Sequence, residues 1–417
     1  MIEVCWNLSQ KDDQKPRYVF MTSIVKCPAC EGTATASVYK PLNSNLNCEI
    51  ARCAHCKHVF QVQLYRQANT QPSEVGRKDT FQGLSCDADY SAIRIGKAQM
   101  LKASVVATEL VVETRGAPRK ILDVSAARGD FANWALQRFN PEGLVCVEPD
   151  SYMTESYKRE PRIRLIEQDL REARFDELYD LIYCCHSLEH YRDPRVILTI
   201  LRGLLSPRGI VYLEVPNIDY VTSASFIVEE YFYDQHKQFF NRDSLLLLLR
   251  EVGLQVVLDK SDLSSLRVVC EHSDPEGEHT TPIESSFIRD FDFVRYRQVL
   301  EYSRSRLPLA ADKLISEISG AQTLAVVGAG RIFDAFVKSG SLSRVTRSFE
   351  KVIVIDNFIS RLTSSINGLP LVSLDSWTGR EPDCALILAT SSSAELRRNV
   401  RNFFPSCTNF ELTELIP

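Results

Sequence analysis

The sequence predicts an α/β protein built from three units: a small four-cysteine module, a central parallel sheet covered by helices, and a second sheet of the same kind toward the C-terminal end. Three observations carry this reading. Two Cys-x-x-Cys pairs stand close together near the start, apolar runs alternate with amphipathic stretches from Lys120 onward, and a second alternation of that sort begins at Thr323. Strands that alternate with helices pair in parallel and are buried on both faces. A chain of 417 residues is too long for one compact core, and three units suit that length.

Composition narrows the function classes. Hydrophobic residues make up 44% and charged residues 25%, an ordinary balance for a globular chain. A formal charge of -5 offers no basic face for a phosphate backbone, so a nucleic-acid polymer is not the expected partner. The densest apolar run, "SLLLLLREVGL" from Ser244, is broken by Arg250 and Glu251 and is shorter than the roughly 20 residues of a membrane span. It reads as a buried helix, and no membrane partner is expected. The opening "MIEVCWNLSQKDDQKPRYVF" lacks the basic-then-apolar order of a secretory leader, which makes the cytoplasm the expected compartment. A reducing compartment keeps the 13 cysteines as thiols. Cys146, Cys184, Cys185, Cys270 and Cys384 fall inside apolar strand-like runs and read as core residues.

After an N-terminal extension over residues 1–22, the module spans 23–75. "CPAC" sets Cys27 and Cys30 three apart, and "CAHC" repeats that spacing at Cys53 and Cys56. Two such knuckles can offer four thiolates to one tetrahedral Zn2+, with a small hairpin between them. A closed four-thiolate set leaves no position for water, so the metal is expected to be structural, holding together a unit too small to fold on its core alone. A redox Cys-x-x-Cys is the alternative, but no thioredoxin-like strand and helix surround either pair.

The central unit is expected over 80–275. "KILDVSA" is its first strand and "GDFANWALQRF" its first helix; "LVCVEPD" is the second strand, followed by a helix "SYMTESYKRE". "IRLIEQDL" is the third strand, "YDLIYCC" the fourth and "GIVYLEVPN" the fifth, while "LQVVLDKSDLSSLRVVCEHS" reads as a closing hairpin. Ligands of such sheets bind beyond the carboxyl ends of the strands. Asp123, Glu148, Asp169 and His186 all fall there.

This order resembles the class I methyltransferases that use S-adenosylmethionine, and gives the sheet a Rossmann-like character. In that family an acid-x-Gly-x-Gly-x-Gly loop follows the first strand; here it reads Asp123, Val124, Ser125, Ala126, Ala127, Arg128, Gly129, with small residues in place of two glycines. The resemblance implies that Asp123, Ser125, Ala126, Gly129 and Phe131 bind the cofactor from the first loop, and that Glu148 accepts both ribose hydroxyls. It further places Asp169 and Leu170 at the adenine, with His186 and Leu188 of "CHSLEHYRDP" lining the site. A dinucleotide-binding sheet is the rival, but the loop lacks Gly-x-Gly-x-x-Gly spacing.

Between the fifth strand and the helix at Ser244 lies the aromatic stretch "YFYDQHKQFF". His236 stands in it, and a histidine that titrates near neutrality can accept a proton during methyl transfer. The three-unit layout resembles the zinc-containing sugar C-methyltransferases, which act on nucleotide-linked ketosugars. Their Tyr-His-Glu-His motif is matched at its outer positions by Tyr233 and His236, which the resemblance makes a hydrogen-bonding partner of the enolate and the general base. It adds Tyr90 as a further active-site tyrosine.

A helical connector is expected over 276–319 and a Rossmann-like unit over 320–417. "TLAVVGAGRIFDAFVKSG" reads as strand, Gly-x-Gly turn and helix, where free amides behind Gly328 and Gly330, with Arg331, can hold a phosphate. Asp356 closes the following strand, where an acid can meet a ribose. The resemblance makes this unit the grip on the nucleotide part of the substrate; a doubling of the fold that binds nothing is the alternative. The reading is thus a C-methyltransferase of a small carbonyl compound in a specialised biosynthetic pathway. Its alternatives are small-molecule O- or N-methylation, and a non-catalytic, ligand-sensing zinc protein.

Overall fold

The computed structural model describes residues 24–35, 37–41, 49–62, 115–154, 157–224, 226–232, 236–273, 291–318, 320–357, 359–361, 363–388 and 393–416. Tyr90 and Tyr233 lie outside the described residues. The N-terminal module pairs β1 (Ile24–Lys26) with β2 (Thr33–Thr35), and sets β3 (Ser37–Tyr39), β4 (Ile50–Arg52) and β5 (Val59–Gln61) side by side and antiparallel.

The central sheet begins with β6 (Lys120–Val124), whose helix α1 (Asp130–Phe139) buries Phe131, Ala132, Ala135, Leu136 and Phe139 along one face. β7 (Gly143–Val147), a single turn α2 (Ser151–Thr154), β8 (Ile163–Ile166) and β9 (Tyr179–Cys185) follow. Helix α3 (Pro194–Leu204) starts at Asp193, whose carboxylate accepts the amides of Arg195 and Val196, with Pro194 in the first turn where its missing donor costs nothing. β10 (Leu205–Pro216), α4 (Asp219–Ser223), the two-residue β11 (Gln238–Phe239), α5 (Arg242–Glu251), β12 (Leu254–Asp259) and β13 (Ser265–His272) complete the unit. The seven strands lie in the order β12-β13-β10-β9-β6-β7-β8. The five from β10 to β8 are parallel, and the β12–β13 hairpin closes the sheet antiparallel to β10, as expected.

Two local expectations are corrected. The segment after β7 keeps only four helical residues, Ser151–Thr154, before it turns. The third strand stops at Ile166, because it lies at the sheet edge and its neighbour β7 ends at Val147, leaving no ladder to extend toward Asp169.

Helices α6 (Phe293–Ser305) and α7 (Leu307–Glu317) form the connector and meet at Arg306; Pro308, in the first turn of α7, has no amide with which to carry the hydrogen-bond ladder of α6 onward. The last unit runs β14 (Thr323–Val327), α8 (Arg331–Lys338), α9 (Ser341–Ser348), β15 (Lys351–Ile355), β16 (Ser365–Ile366), β17 (Leu369–Val372), β18 (Cys384–Ile387), α10 (Ser393–Phe403), β19 (Thr408–Glu411) and α11 (Leu412–Leu415). Its strands are ordered β16-β17-β15-β14-β18-β19, parallel except for β16. The α/β expectation holds for both sheets.

One stretch ties the units together. Phe232 and Phe239 share a core with Tyr39, Ile50 and Val59 of the module and with Tyr296 and Leu300 of the connector. Val228 packs into the core of the last unit beside Leu307 and Phe333. The buried carboxyl group of Glu230 accepts the Tyr39 hydroxyl at 3.0 Å and the Tyr296 hydroxyl at 2.6 Å, so both its oxygens are hydrogen-bonded where the three units meet. β11 extends the module's sheet, pairing Gln238 with Phe60 and Phe239 with Val59. Among the described residues no helix is long and apolar enough to cross a membrane.

Candidate active site at the carboxyl edge of the central sheet

The chain order of the strands reverses between β6 and β9, and the crevice there is where open α/β sheets bind ligands. The loop leaving β6 places Ser125 at φ 54°, Ala127 at φ 46° and Gly129 at φ 69°, and the residue after β9, His186, at φ 48°. Left-handed backbone costs an ordinary L-residue about 1–2 kcal/mol, so three strained non-glycine residues at one sheet edge need support from their surroundings. That support is visible. Ser125 Oγ lies 2.6 Å from Ser187 Oγ, Ala126 donates its amide to the Val147 carbonyl, and Gly129 donates to Ala126. A side chain at Gly129 would meet the Tyr157 ring at 2.6 Å, so only glycine fits. The conformation that glycines would give freely is thus kept by serine and alanine under strain. Ala127→Gly should relieve that strain and, after the loss of chain stiffness in the unfolded state, raise stability by up to about 1 kcal/mol in a urea titration.

Glu148, just beyond β7, is turned inward and buried. Its Oε2 accepts the Ala127 amide at 2.8 Å and its Oε1 the Asp150 amide at 3.0 Å. Asp356 repeats this arrangement in the last unit, accepting the Ala329 amide at 3.1 Å and the Ile359 amide at 2.9 Å. Asp123 and Ala126 are also buried at the central edge.

Other expected site residues serve the core or other partners. Phe131 stacks flat on Tyr183 with ring centroids 3.6 Å apart, and Leu170 and Leu188 are buried within the core of the sheet. Asp169 is gripped by Arg171 at 2.7 and 2.8 Å. Gly328, at φ 99°, and Gly330 open the first turn of the last sheet as expected. Arg331 leans toward the central unit, 3.4 Å from Glu229 and 3.5 Å from the Glu230 carbonyl. The edge of the second sheet therefore borders the stretch that leads to His236.

His236 is buried beside His190, their ring centroids 4.9 Å apart, and its Nε2 lies 3.9 Å from Glu189 Oε1. The expectation that it titrates near neutrality is corrected: burial first, then the electrostatic influence of His190, Arg331, His186 and Lys237, holds its pKa well below 6.5. The imidazole is neutral at pH 7 and its lone pair is free of a proton. His186 goes the other way. Burial lowers its pKa, but Glu189 and Glu214 more than offset that and raise it to about 9. Glu214 is fully buried and held by Tyr212 at 2.6 Å and Arg267 at 2.8 Å. Glu189 sits among three histidines, His186, His190 and His236. The His-x-x-Glu-His spacing of residues 186–190 was the available signal.

The four cysteines come together as expected. Cys27 Sγ lies 3.5 Å from Cys56 Sγ and Cys30 Sγ 3.8 Å from Cys53 Sγ. Sulfurs on a tetrahedral Zn2+ at about 2.3 Å stand roughly 3.75 Å apart, whereas a disulfide needs about 2.05 Å, so the spacing fits the metal. The two knuckles share one backbone pattern: Glu31 at φ 56° and Lys57 at φ 64° follow the second cysteine of each and donate to the carbonyls of Cys27 and Cys53.

With this geometry in view, comparison with known proteins becomes informative. Residues 101–259 match the family described as a methyltransferase domain. The match covers the described strands β6 to β12 and supports the expectation of an enzyme. A curated relative, the ubiquinone biosynthesis O-methyltransferase of Rickettsia felis, is 25% identical over 101 residues. That region is 24% of this chain, and the chain spans only 41% of the relative's length. Among solved structures, an S-adenosylmethionine-dependent methyltransferase from Clostridium acetobutylicum aligns with TM-score 0.36 and 14% identity, over 47% of this chain and 96% of its own. The 1,6-didemethyltoxoflavin-N1-methyltransferase of Burkholderia thailandensis, solved with 1,6-didemethyltoxoflavin and S-adenosylhomocysteine, aligns with TM-score 0.37 and 16% identity, over 57% of this chain and 100% of its own.

Proposed function

We propose that this protein is an S-adenosylmethionine-dependent methyltransferase whose acceptor is a small carbonyl compound, with a nucleotide-linked ketosugar as the favoured class. The observation that carries the reading is Glu148: a buried acid closing β7, held by two backbone amides at the edge where the methyltransferase-domain match is centred. Each carboxylate oxygen has a second lone pair, so both ribose hydroxyls can be accepted without releasing either amide. When bound, S-adenosylmethionine supplies an electrophilic methyl on a sulfonium.

His236 acts on the acceptor side. Its neutral imidazole takes the proton from the carbon beside the ketone, and the electron pair of that C–H bond passes into the enolate, whose carbon forms the new bond to the methyl. By the resemblance to the sugar C-methyltransferases Tyr233 would donate a hydrogen bond to the enolate oxygen, with Tyr90 as a further active-site tyrosine. The paired acid-and-amide motif at Asp356 and Ala329 supports a nucleotide grip by the last unit through Gly328 and Gly330. Zn2+ on Cys27, Cys30, Cys53 and Cys56 is structural.

Deuterium exchange at the ketone-adjacent carbon of a nucleotide-linked ketosugar, measured without the methyl donor, isolates the first step. Wild-type protein should catalyse it, and His236→Ala should slow it by about 10²–10⁴. Equal exchange in both proteins, together with intact methyl transfer to oxygen or nitrogen, would replace carbon methylation with one of the alternatives.

A further inference from the structure

The turn Leu188–His190 buries Glu189 to 1% exposure, and neither of its carboxylate oxygens has a hydrogen-bond partner among the described residues. Such a group is costly to bury unless something positive meets it. Three imidazoles converge on Oε1: His186 Nδ1 at 3.3 Å, His190 Nε2 at 3.9 Å and His236 Nε2 at 3.9 Å. An ion pair with His186 alone accounts for one charge. It does not account for two further imidazoles facing the same oxygen from separate segments, nor for the second buried oxygen.

We propose that Glu189, His190 and His236 bind a divalent transition-metal ion at a site distinct from the four cysteines. Their donor atoms already lie within 4.8 Å of one another. Nitrogen and oxygen ligands at about 2.0–2.2 Å from such an ion stand roughly 3–3.5 Å apart, so closure by about an ångström completes the set. His190 has its side chain 42% exposed, so that movement need not displace a close-packed core. Two imidazoles and one carboxylate favour Zn2+, Co2+, Fe2+ or Mn2+ and leave positions open for an oxygen ligand. His186, bridging Glu189 and Glu214 (3.6 Å), orients the carboxylate from behind. Ligation takes up the lone pair that proton abstraction by His236 would use. In the loaded protein His236 would therefore serve as a ligand and take no proton, so the proton abstraction proposed above belongs to the metal-free protein. The site itself stands whether or not the protein transfers methyl groups.

The test uses full-length protein already holding zinc at the four cysteines, titrated with Co2+. One further equivalent should bind, giving ligand-field absorption without the sulfur-to-cobalt charge-transfer band of a thiolate site. Glu189→Gln and His190→Gln should each weaken that uptake about a hundredfold or more. His190→Gln alters a half-exposed side chain, so circular dichroism should report an unchanged fold. No uptake, uptake showing only thiolate charge transfer, or equal uptake by the folded His190→Gln variant would overturn the proposal. Calorimetry with S-adenosylhomocysteine on the same samples reports the cofactor reading separately, so the two can fail independently.

Discussion

Chelating the Zn2+ proposed for the four cysteines is expected to unfold strands β1 to β5 and to release the segment around His236 with them. Structural zinc binding is worth about 10–16 kcal/mol, comparable to or above the 5–15 kcal/mol that holds a whole domain, so the module has no reserve to replace it. The coupling to the active site is direct. Gln61 donates its amide to the Lys237 carbonyl at 3.0 Å, His58 Nε2 lies 2.9 Å from Gln238 Oε1, and Gln238 in turn donates to the carbonyls of Tyr191 and Arg192 at 3.1 and 2.9 Å. Lys237 also donates its amide to the Glu189 carbonyl at 2.7 Å. Losing the module therefore removes β11 from its sheet and frees the histidine next to it. Hydrogen exchange before and after chelation should show fast exchange at Gln61 and Phe239 and near-native protection across β6, β7 and β9. Methyl transfer should fall in parallel. Unchanged protection at Phe239 after zinc loss would show that the module and the site are independent.

Glu148→Ala should weaken binding of S-adenosylhomocysteine by about a hundredfold or more. Hydrogen bonds to a charged acceptor are worth roughly 1.5–3 kcal/mol each, and two ribose hydroxyls lose that acceptor together. The same change strands the Ala127 and Asp150 amides, which loosens a loop already strained at Ser125 and Ala127. Glu148→Gln separates the two effects: it keeps the shape and one good acceptor, so the fold should be spared while affinity still falls. Isothermal calorimetry with thermal unfolding on both variants distinguishes lost ligand contacts from a collapsed loop.

Much of this architecture was legible because it is written locally. Paired Cys-x-x-Cys spacing fixes two identical turns, and continuous apolar runs such as "KILDV" and "GLVCV" mark strands buried on both faces. Acids that close those strands fall at the carboxyl edge by topology, which is why Asp123 and Glu148 were visible. What stayed hidden depends on distant chain segments. Asp169 reads as the end of a strand, but β8 has no partner beyond Ile166 and Arg171 takes the carboxylate. Glu189 stands in the turn that follows β9, with nothing in the local sequence to turn it inward. The left-handed backbone of His186 and the single 3₁₀ turn at Leu188–His190 rotate it inward, and the pairing of β11 with the module brings His236 to it. The depressed pKa of His236 was equally out of reach, since burial and the nearby Arg331 come from another unit.

Calorimetric titration of the zinc-loaded, unaltered protein with S-adenosylhomocysteine tests the central claim most directly. The account predicts one site per chain, with binding that Glu148→Ala abolishes or severely weakens. A flat titration of folded wild-type protein would contradict it and leave the edge of the central sheet without its ligand.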